Sequence, residues 1–198
     1  MQDKMRMTAA VLAAGSTLIT STSVEAGGGP IVEGAKVRHG QAKFERNGNS
    51  LRIRSGQRTI IDYSRFDIPV GASVEFAQAN ANSRVLNRIN SAAPSQIMGS
   101  LSSNGKVYFI NPAGVVFGKN ARIDVNGLFA GAGRMSDGDF LRGIDRLTDM
   151  RGTVRNEGSI KAINEVVLAG RTVVNTGEIS TSGKGLVALV AGDTVTLH

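Results

Sequence analysis

The amino-acid sequence predicts an all-β chain, wound as a right-handed parallel β-helix with one short helix lying on its outside. Three observations lead there. Val154-Arg155-Asn156-Glu157-Gly158-Ser159-Ile160 returns as Val173-Val174-Asn175-Thr176-Gly177-Glu178-Ile179, with Asn156 and Asn175 separated by 19 positions. Val166-Val167-Leu168-Ala169-Gly170 returns at a similar offset as Leu186-Val187-Ala188-Leu189-Val190-Ala191-Gly192. Elsewhere short apolar runs are punctuated by turn formers. Such a period is too short for a βαβ unit, which takes roughly 30 residues, and fits three strands of about five residues joined by turns. One round is one coil, and stacked coils bury a stripe of Val, Ile and Leu that a single coil cannot bury alone. An antiparallel sandwich has strands of the same length but gives no reason for an Asn-x-Gly turn to return each round.

Residues 1–26 read as a signal peptide rather than as part of the fold. Lys4 and Arg6 precede an apolar stretch from Met7 to Thr20, and Val24-Glu25-Ala26 places small or β-branched residues where a leader peptidase reads them, so cleavage is expected after Ala26. The apolar run falls short of the about 20 residues of a membrane span, which argues against an uncleaved anchor. Removing 26 residues from 198 leaves 172, enough for one domain, 27–198, with a core of its own. There is no cysteine, so an oxidising destination goes unused for stapling. The two histidines, His39 and His198, give a zinc site almost nothing to draw on. A Ser-His-Asp triad would rest on His39, and no nucleophile-elbow pattern accompanies it.

The formal charge of +7 is concentrated early. Lys36, Arg38, Lys43, Arg46, Arg52, Arg54, Arg58 and Arg65 face only Glu45 and Asp62 over that interval. Ala35-Lys36-Val37-Arg38 and Leu51-Arg52-Ile53-Arg54 alternate apolar with basic residues, which in strands puts Val37, Leu51 and Ile53 toward the core. Lys36, Arg38, Arg52 and Arg54 then form an outward stripe, either a solvated face that discourages edge-to-edge pairing or a contact for an acidic partner. Nucleic acid is a poor partner, because aromatics for base stacking are few, Trp is absent and export removes the chain from the genome. Ala72, Val74 and Phe76 alternate against Ser73 and Glu75 as the next strand.

Residues 84–118 carry the densest punctuation. Ser103-Asn104-Gly105 precedes Val107-Tyr108-Phe109-Ile110, and Asn111-Pro112-Ala113-Gly114 precedes Val115-Val116-Phe117. Asn at position i, Pro at i+1 and Gly at i+3 are the preferences of a type I turn, so Asn111 to Gly114 is expected to turn the chain sharply. Arg84 to Asn90 reads from its residues as a helical turn or a strand. In a strand, Asn87 and Asn90 would sit where side-chain amides bond neighbouring backbone at a turn.

The run Val85-Leu86-Asn87-Arg88-Ile89, Pro94-Ser95-Gln96-Ile97-Met98-Gly99, Asn104-Gly105, Asn111-Pro112-Ala113-Gly114-Val115, Phe117-Gly118 and Asn126-Gly127-Leu128 resembles the amino-terminal secretion domain of filamentous haemagglutinin-type exoproteins, the secreted halves of two-partner secretion systems. The likeness extends more weakly over nearly the whole chain after the leader. Ala113 stands where the family's tetrad has a second Asn, and the Asn-Pro-Asn-Leu tetrad of some members has no counterpart. The resemblance favours a strand over Arg84 to Asn90. It also implies a recognition or turn role for Asn111, Pro112, Ala113 and Gly114.

Across 134–151 the repeat is interrupted. Ser136 as N-cap and Asp139 at N3 have capping-box spacing, with Phe140, Ile144 and Leu147 on one helical face. The acidic residues Asp137, Asp139, Asp145 and Asp149 lack the spacing of a calcium loop and are interleaved with Arg142, Arg146 and Arg151, so capping and surface pairing is the expected role and no metal or cofactor is invoked.

The resemblance implies an exported, monomeric, non-enzymatic domain recognised by the periplasmic part of a cognate outer-membrane transporter. It would cross that membrane unfolded and nucleate β-helix folding outside, as part of an adhesin or haemagglutinin whose passenger would meet host or surface glycans. The competing readings are a β-helical polysaccharide-degrading enzyme, which needs a convergent set of carboxylates, and a surface carbohydrate-binding protein, for which stacking aromatics are few. Mass spectrometry of the exported product is expected to find Gly27 at the amino terminus, and recovery of intact Met1 in a membrane fraction would contradict it.

Overall fold

The structure, a computed structural model, describes residues 29–182 and 184–197. The leader, the bond after Ala26 and His198 lie outside the described residues. Three strands open the chain: β1 (Ile31–Glu33), β2 (Lys36–His39) and β3 (Ala42–Asn47). The first coil is β4 (Ser50–Ser55), β5 (Arg58–Tyr63) and β6 (Arg65–Asp67), and the second is β7 (Ser73–Gln78), β8 (Arg84–Ile89) and β9 (Ser95–Ile97). The third is β10 (Ser100–Ile110) and β11 (Gly114–Phe117). The fourth begins with β12 (Arg122–Gly131), leaves the solenoid through α1 (Asp137–Arg142) and β13 (Asp145–Leu147), and returns as β14 (Thr153–Asn156). β15 (Ser159–Gly170) and β16 (Thr172–Asn175) make the fifth, and β17 (Glu178–Thr181) and β18 (Leu186–Ala191) the last, before β19 (Val195–Leu197).

All coil-to-coil pairing is parallel, which excludes the sandwich. One face stacks β4, β7, β10, β12, β15 and β17. A second stacks β5 and β8 on the later halves of β10, β12 and β15, then β18. The third stacks β9, β11, β14 and β16. Register makes columns of inward side chains, such as Leu51, Val74, Leu101, Ile123, Ile160 and Ile179. The 19-residue repeat is one of them: Asn156 pairs with Asn175, and its Nδ2 donates to the Asn175 Oδ1 at 2.8 Å. Full burial of one such aliphatic side chain is worth about 1.5–3 kcal/mol, so each added coil contributes its own increment.

Ser103-Asn104-Gly105 does not separate two strands, contrary to the reading of those residues as a turn. β10 runs through them and bends at a register shift between Ser103 and Lys106, as β12 does between Val125 and Gly127. Asn104 stitches the bend to the coil below, its Oδ1 accepting from the Gln78 N–H at 2.8 Å and its Nδ2 donating to the Gln78 carbonyl at 2.9 Å. Asn87 lies mid-strand rather than at a turn. It is fully buried, accepts from the Tyr63 hydroxyl at 3.1 Å and donates to the Tyr108 carbonyl at 3.2 Å.

The amino-terminal end is closed by antiparallel pairing, β1 on β6, β2 on β5 and β3 on β4. Phe44, Val32 and Ala42 pack on the first coil. Val37 is not on the core face: it is 39% exposed, and every residue of β2 is exposed. β2 is an edge strand above the first coil, bulged between Val37 and His39, and all four of its residues are exposed among the described residues.

The excursion after β12 covers the outside of the second face. Ile60, Leu86, Tyr108, Ile110, Phe129 and Val167 point outward there and are sealed by Met135, Phe140, Leu147 and Met150. Ser136 caps α1, its Oγ accepting from the Asp139 N–H at 3.0 Å, as the capping-box spacing predicts. The helix is shorter than the apolar periodicity suggested. Gly143, at φ 81°, ends it in the left-handed region, so Ile144 and Leu147 lie beyond it, with Leu147 buried from β13. Phe140→Ala removes the helix's buried anchor and is expected to cost about 3–5 kcal/mol in a denaturant melt, whereas the exposed Arg142→Ala is expected to stay within about 0.5 kcal/mol.

Candidate functional site

Asn111 to Gly114 joins β10 to β11, where the chain passes from the second face to the third. The Gly114 N–H donates to the Asn111 carbonyl at 2.9 Å, and the Ala113 N–H donates to Asn111 Oδ1 at 3.0 Å, an Asx turn inside a β-turn. Asn111 is fully buried, and its Nδ2 donates to the Ala93 carbonyl and to Ser95 Oγ, both at 3.1 Å. The turn therefore ties its own coil to the one before. The coil after it approaches as closely: a Cβ on Gly114, whose φ is 124°, would lie 2.6 Å from the Thr153 carbonyl oxygen. Pro112 and Ala113 are half-buried, and position 113 contributes its backbone N–H, a group that Ala supplies as well as Asn.

The four basic residues are not brought together. Lys36 and Arg38 lie on β2, which pairs with β5, whereas Arg52 and Arg54 lie on β4, which pairs with β3 and β7 on another face. Most of their charge is answered locally. Arg52 Nε and Nη2 reach Glu75 at 2.9 and 2.8 Å, Arg54 meets Glu45 at 3.0 Å, and Arg38 meets Asp62 at 3.5 Å. Hydrogen bonds from Lys43 and then Arg54 hold the Glu45 carboxyl below its usual range. Lys36 has no carboxylate partner among the described residues.

Another arginine, given no role by the sequence, does more. Arg88 of β8 is four-fifths buried, donates to Asp62 at 2.7 Å and to Asp137 at 2.6 Å, and reaches the Met135 carbonyl at 3.3 Å. Arg58 donates to the Leu141 carbonyl at 3.0 Å and Arg84 lies over the Phe140 ring, so basic residues of β5 and β8 fasten the excursion at both ends of α1. The acidic residues there each have a separate partner: Asp137 has Arg88, Asp139 has Arg142, Asp149 has Arg134 and Arg151, and Asp145 accepts from the Tyr108 hydroxyl at 2.9 Å. Among the described residues no group of His, Cys, Asp and Glu is placed to hold a metal ion. His39 is exposed on β2.

These features define a class: a parallel β-helical domain, capped at its amino end, with a buried Asn-Pro turn binding successive coils. Residues 17–197 match the family model described as TPS secretion domain, and the chain belongs to that family, the secretion domain of two-partner secretion exoproteins. It is 39% identical over 171 residues to a heme/hemopexin-binding protein of Haemophilus influenzae strain Rd, covering 81% of this chain and 19% of that protein. A second Haemophilus influenzae protein of the same name is 40% identical over 83 residues, which cover 41% of this chain and 9% of that protein. The chain thus spans about a fifth or less of these relatives. The crystal structure of the HMW1 secretion domain from Haemophilus influenzae superposes with a TM-score of 0.81 at 35% identity, over 83% of this chain and 46% of that one. Membership implies a cognate outer-membrane transporter, through which exoproteins of this kind are secreted.

Burial raises the Asp145 carboxyl above its usual value, opposed by the Tyr108 hydrogen bond and then by Arg84, with Glu165 raising it slightly and Lys106 lowering it. A raised folded value means that folding binds the proton more tightly, so this group's favourable contribution is complete below the unfolded carboxylate pKa of about 4 and is lost as pH rises through the folded value. Asp145→Asn keeps an acceptor for Tyr108 and removes the titration. Its melting temperature is expected to exceed the parent's at neutral pH, with the gap closing as pH falls toward 4, as thermal melts across pH would show.

Proposed function

We propose that residues 27–198, after removal of the leader at Ala26, serve as the export and folding-initiation module of a larger surface exoprotein. The periplasmic domain of the cognate transporter binds the basic amino-terminal segment while the chain is unfolded, and coil formation outside then proceeds from the capped end. The observation that carries this reading is the difference between the two ends of the solenoid. Antiparallel strands close the amino end, whereas Val187 and Leu189, inward-facing on the last coil, are 43% and 49% exposed. A further coil stacked there would cover them, and stacked coils make contacts local in sequence that form in order of emergence. The passenger belongs to the adhesin type, meeting host or surface glycans. A haem-acquisition role is a second reading, favoured by 39% identity to a protein named for heme and hemopexin binding.

Within this reading the segment containing Lys36, Arg38, Arg52 and Arg54 acts as charge along an extended chain, so its separation onto two faces after folding does not weaken the first encounter. The Asn111–Gly114 turn acts later, in coil assembly. Replacing the four basic residues with Gln removes exposed ion pairs worth about 0–1 kcal/mol each, so the melt is expected to move little. Binding of the purified transporter periplasmic domain is expected to weaken and to lose its dependence on ionic strength. Asn111→Ala, by contrast, strips partners from a buried corner at about 1–3 kcal/mol and should impair folding while sparing that salt dependence. Unchanged affinity and salt slope in the four-Gln protein would remove the basic segment from recognition.

A further inference from the structure

We propose that Asn47 is a site of spontaneous modification, in which its side-chain amide is converted to a carboxylate through a succinimide formed with the Gly48 nitrogen, while the fold shields the chain's two other Asn-Gly steps. The sequence holds three such steps, at 47–48, 104–105 and 126–127. In each, the glycine nitrogen can attack the Asn Cγ because no Cβ hinders the approach. The N–Cγ bond forms, the amide leaves as ammonia, and water then opens the five-membered ring at either carbonyl, giving Asp or iso-Asp. The balance is Asn plus water to acid plus ammonia, with no oxidant or reductant.

Structure divides the three steps. At 104–105 both ends of the carboxamide are held by the Gln78 backbone at 2.8 and 2.9 Å, the Gly105 N–H donates to Ser103 Oγ at 3.1 Å, and Gly105 is buried. At 126–127 both residues are buried, Asn126 Nδ2 donates to the Ala81 carbonyl at 2.6 Å, and its Oδ1 accepts from Asn164 Nδ2 at 3.1 Å. Attack in either place requires breaking the corner stitches that join neighbouring coils. At 47–48 both residues are exposed, the Asn47 carboxamide has no hydrogen-bond partner among the described residues, and nothing lies within 4 Å of the place a Gly48 Cβ would occupy. Asn47 ends β3, and Gly48, at φ 54°, opens the tight turn to β4, so fraying the hairpin tip frees the backbone rotation that ring closure needs.

The product matters because of where it sits. The Asp product places a new carboxylate beside Arg46, which donates to the Pro30 carbonyl at 2.9 Å, within the hairpin that caps the solenoid. The iso-Asp product lengthens the backbone by one methylene and disrupts the Asn47–Ser50 pairing that closes the turn. Either one leaves a permanent mark of age on the amino-terminal hairpin of the domain.

The test is peptide mapping by mass spectrometry of the purified mature chain after incubation at mildly alkaline pH, folded and in denaturant. Folded protein is expected to gain acid only in the peptide containing Asn47, and unfolded protein in all three Asn-Gly peptides. Asn47→Ser is expected to fold normally and release no ammonia under folded conditions. Conversion of Asn104 or Asn126 in the folded chain as fast as Asn47, or an unmodified Asn47 under conditions where the unfolded chain converts, would overturn the proposal.

Discussion

Register between coils is the constraint on which the rest of this protein depends. A side chain that slips by one residue moves from the interior to the outside of the wall, so the column from Leu51 to Ile179 exists only while all its strands hold step. Apolar packing alone resists a two-residue slip weakly, since Val, Ile and Leu substitute for one another. The corners fix it better. Asn104 on Gln78, Asn126 on Ala81, Asn111 on Ala93 and Ser95, and Asn156 on Asn175 each tie one coil to another through a side-chain amide. A shifted coil would leave the buried amides of Asn111, Asn126 and Asn156 unpaired at about 1–3 kcal/mol each, a penalty that discriminates registers where hydrophobicity does not.

The outside of the second face poses a different problem. Tyr108 and Phe129 stack there with centroids 5.4 Å apart, and Phe140 meets Tyr108 edge-on at 5.2 Å. An open apolar sheet of this kind invites association with other chains. The excursion seals it with Met135, Phe140, Leu147 and Met150, and arginines tie it down besides: Arg88 at the start of α1, Arg58 and Arg84 at its end. Pairing of β13 with β19 then joins this cover to the end of the described chain. The cover is therefore held by strands that lie before and after it in sequence.

Much of this was legible in the residues, and the failures have physical causes. The Asn-x-Gly repeat gave the stacking direction because its two copies meet in register, and the Ser136 cap followed from local hydrogen bonding that needs no tertiary partner. Val37 was misplaced because alternation shows that a strand has two faces, not that another layer covers one. Asn104-Gly105 read as a turn because those residues favour turns; in a coiled strand the same freedom makes a bend while the ladder continues on both sides. Asn87 read as a turn residue because its burial depends on Tyr63 and on the Tyr108 carbonyl, 24 and 21 positions away. The basic residues were legible as charge and illegible as ion pairs, since Glu75 reaches Arg52 only once coils stack and Asp62 reaches Arg38 only once the cap strands pair.

The same charges stand in different company in the unfolded chain and in the folded domain. Unfolded, Arg38 and Arg52 are separated from Asp62 and Glu75, which follow them in the chain, and the segment from Lys36 to Arg65 is net positive. Folded, Arg52 finds Glu75, Arg54 finds Glu45 and Arg38 finds Asp62, so three of these cations meet a carboxylate within the domain. Each exposed pair is worth little to stability, yet together they change what the surface offers. Under the proposed function, pairing within the first coils favours release of the transporter domain as folding proceeds.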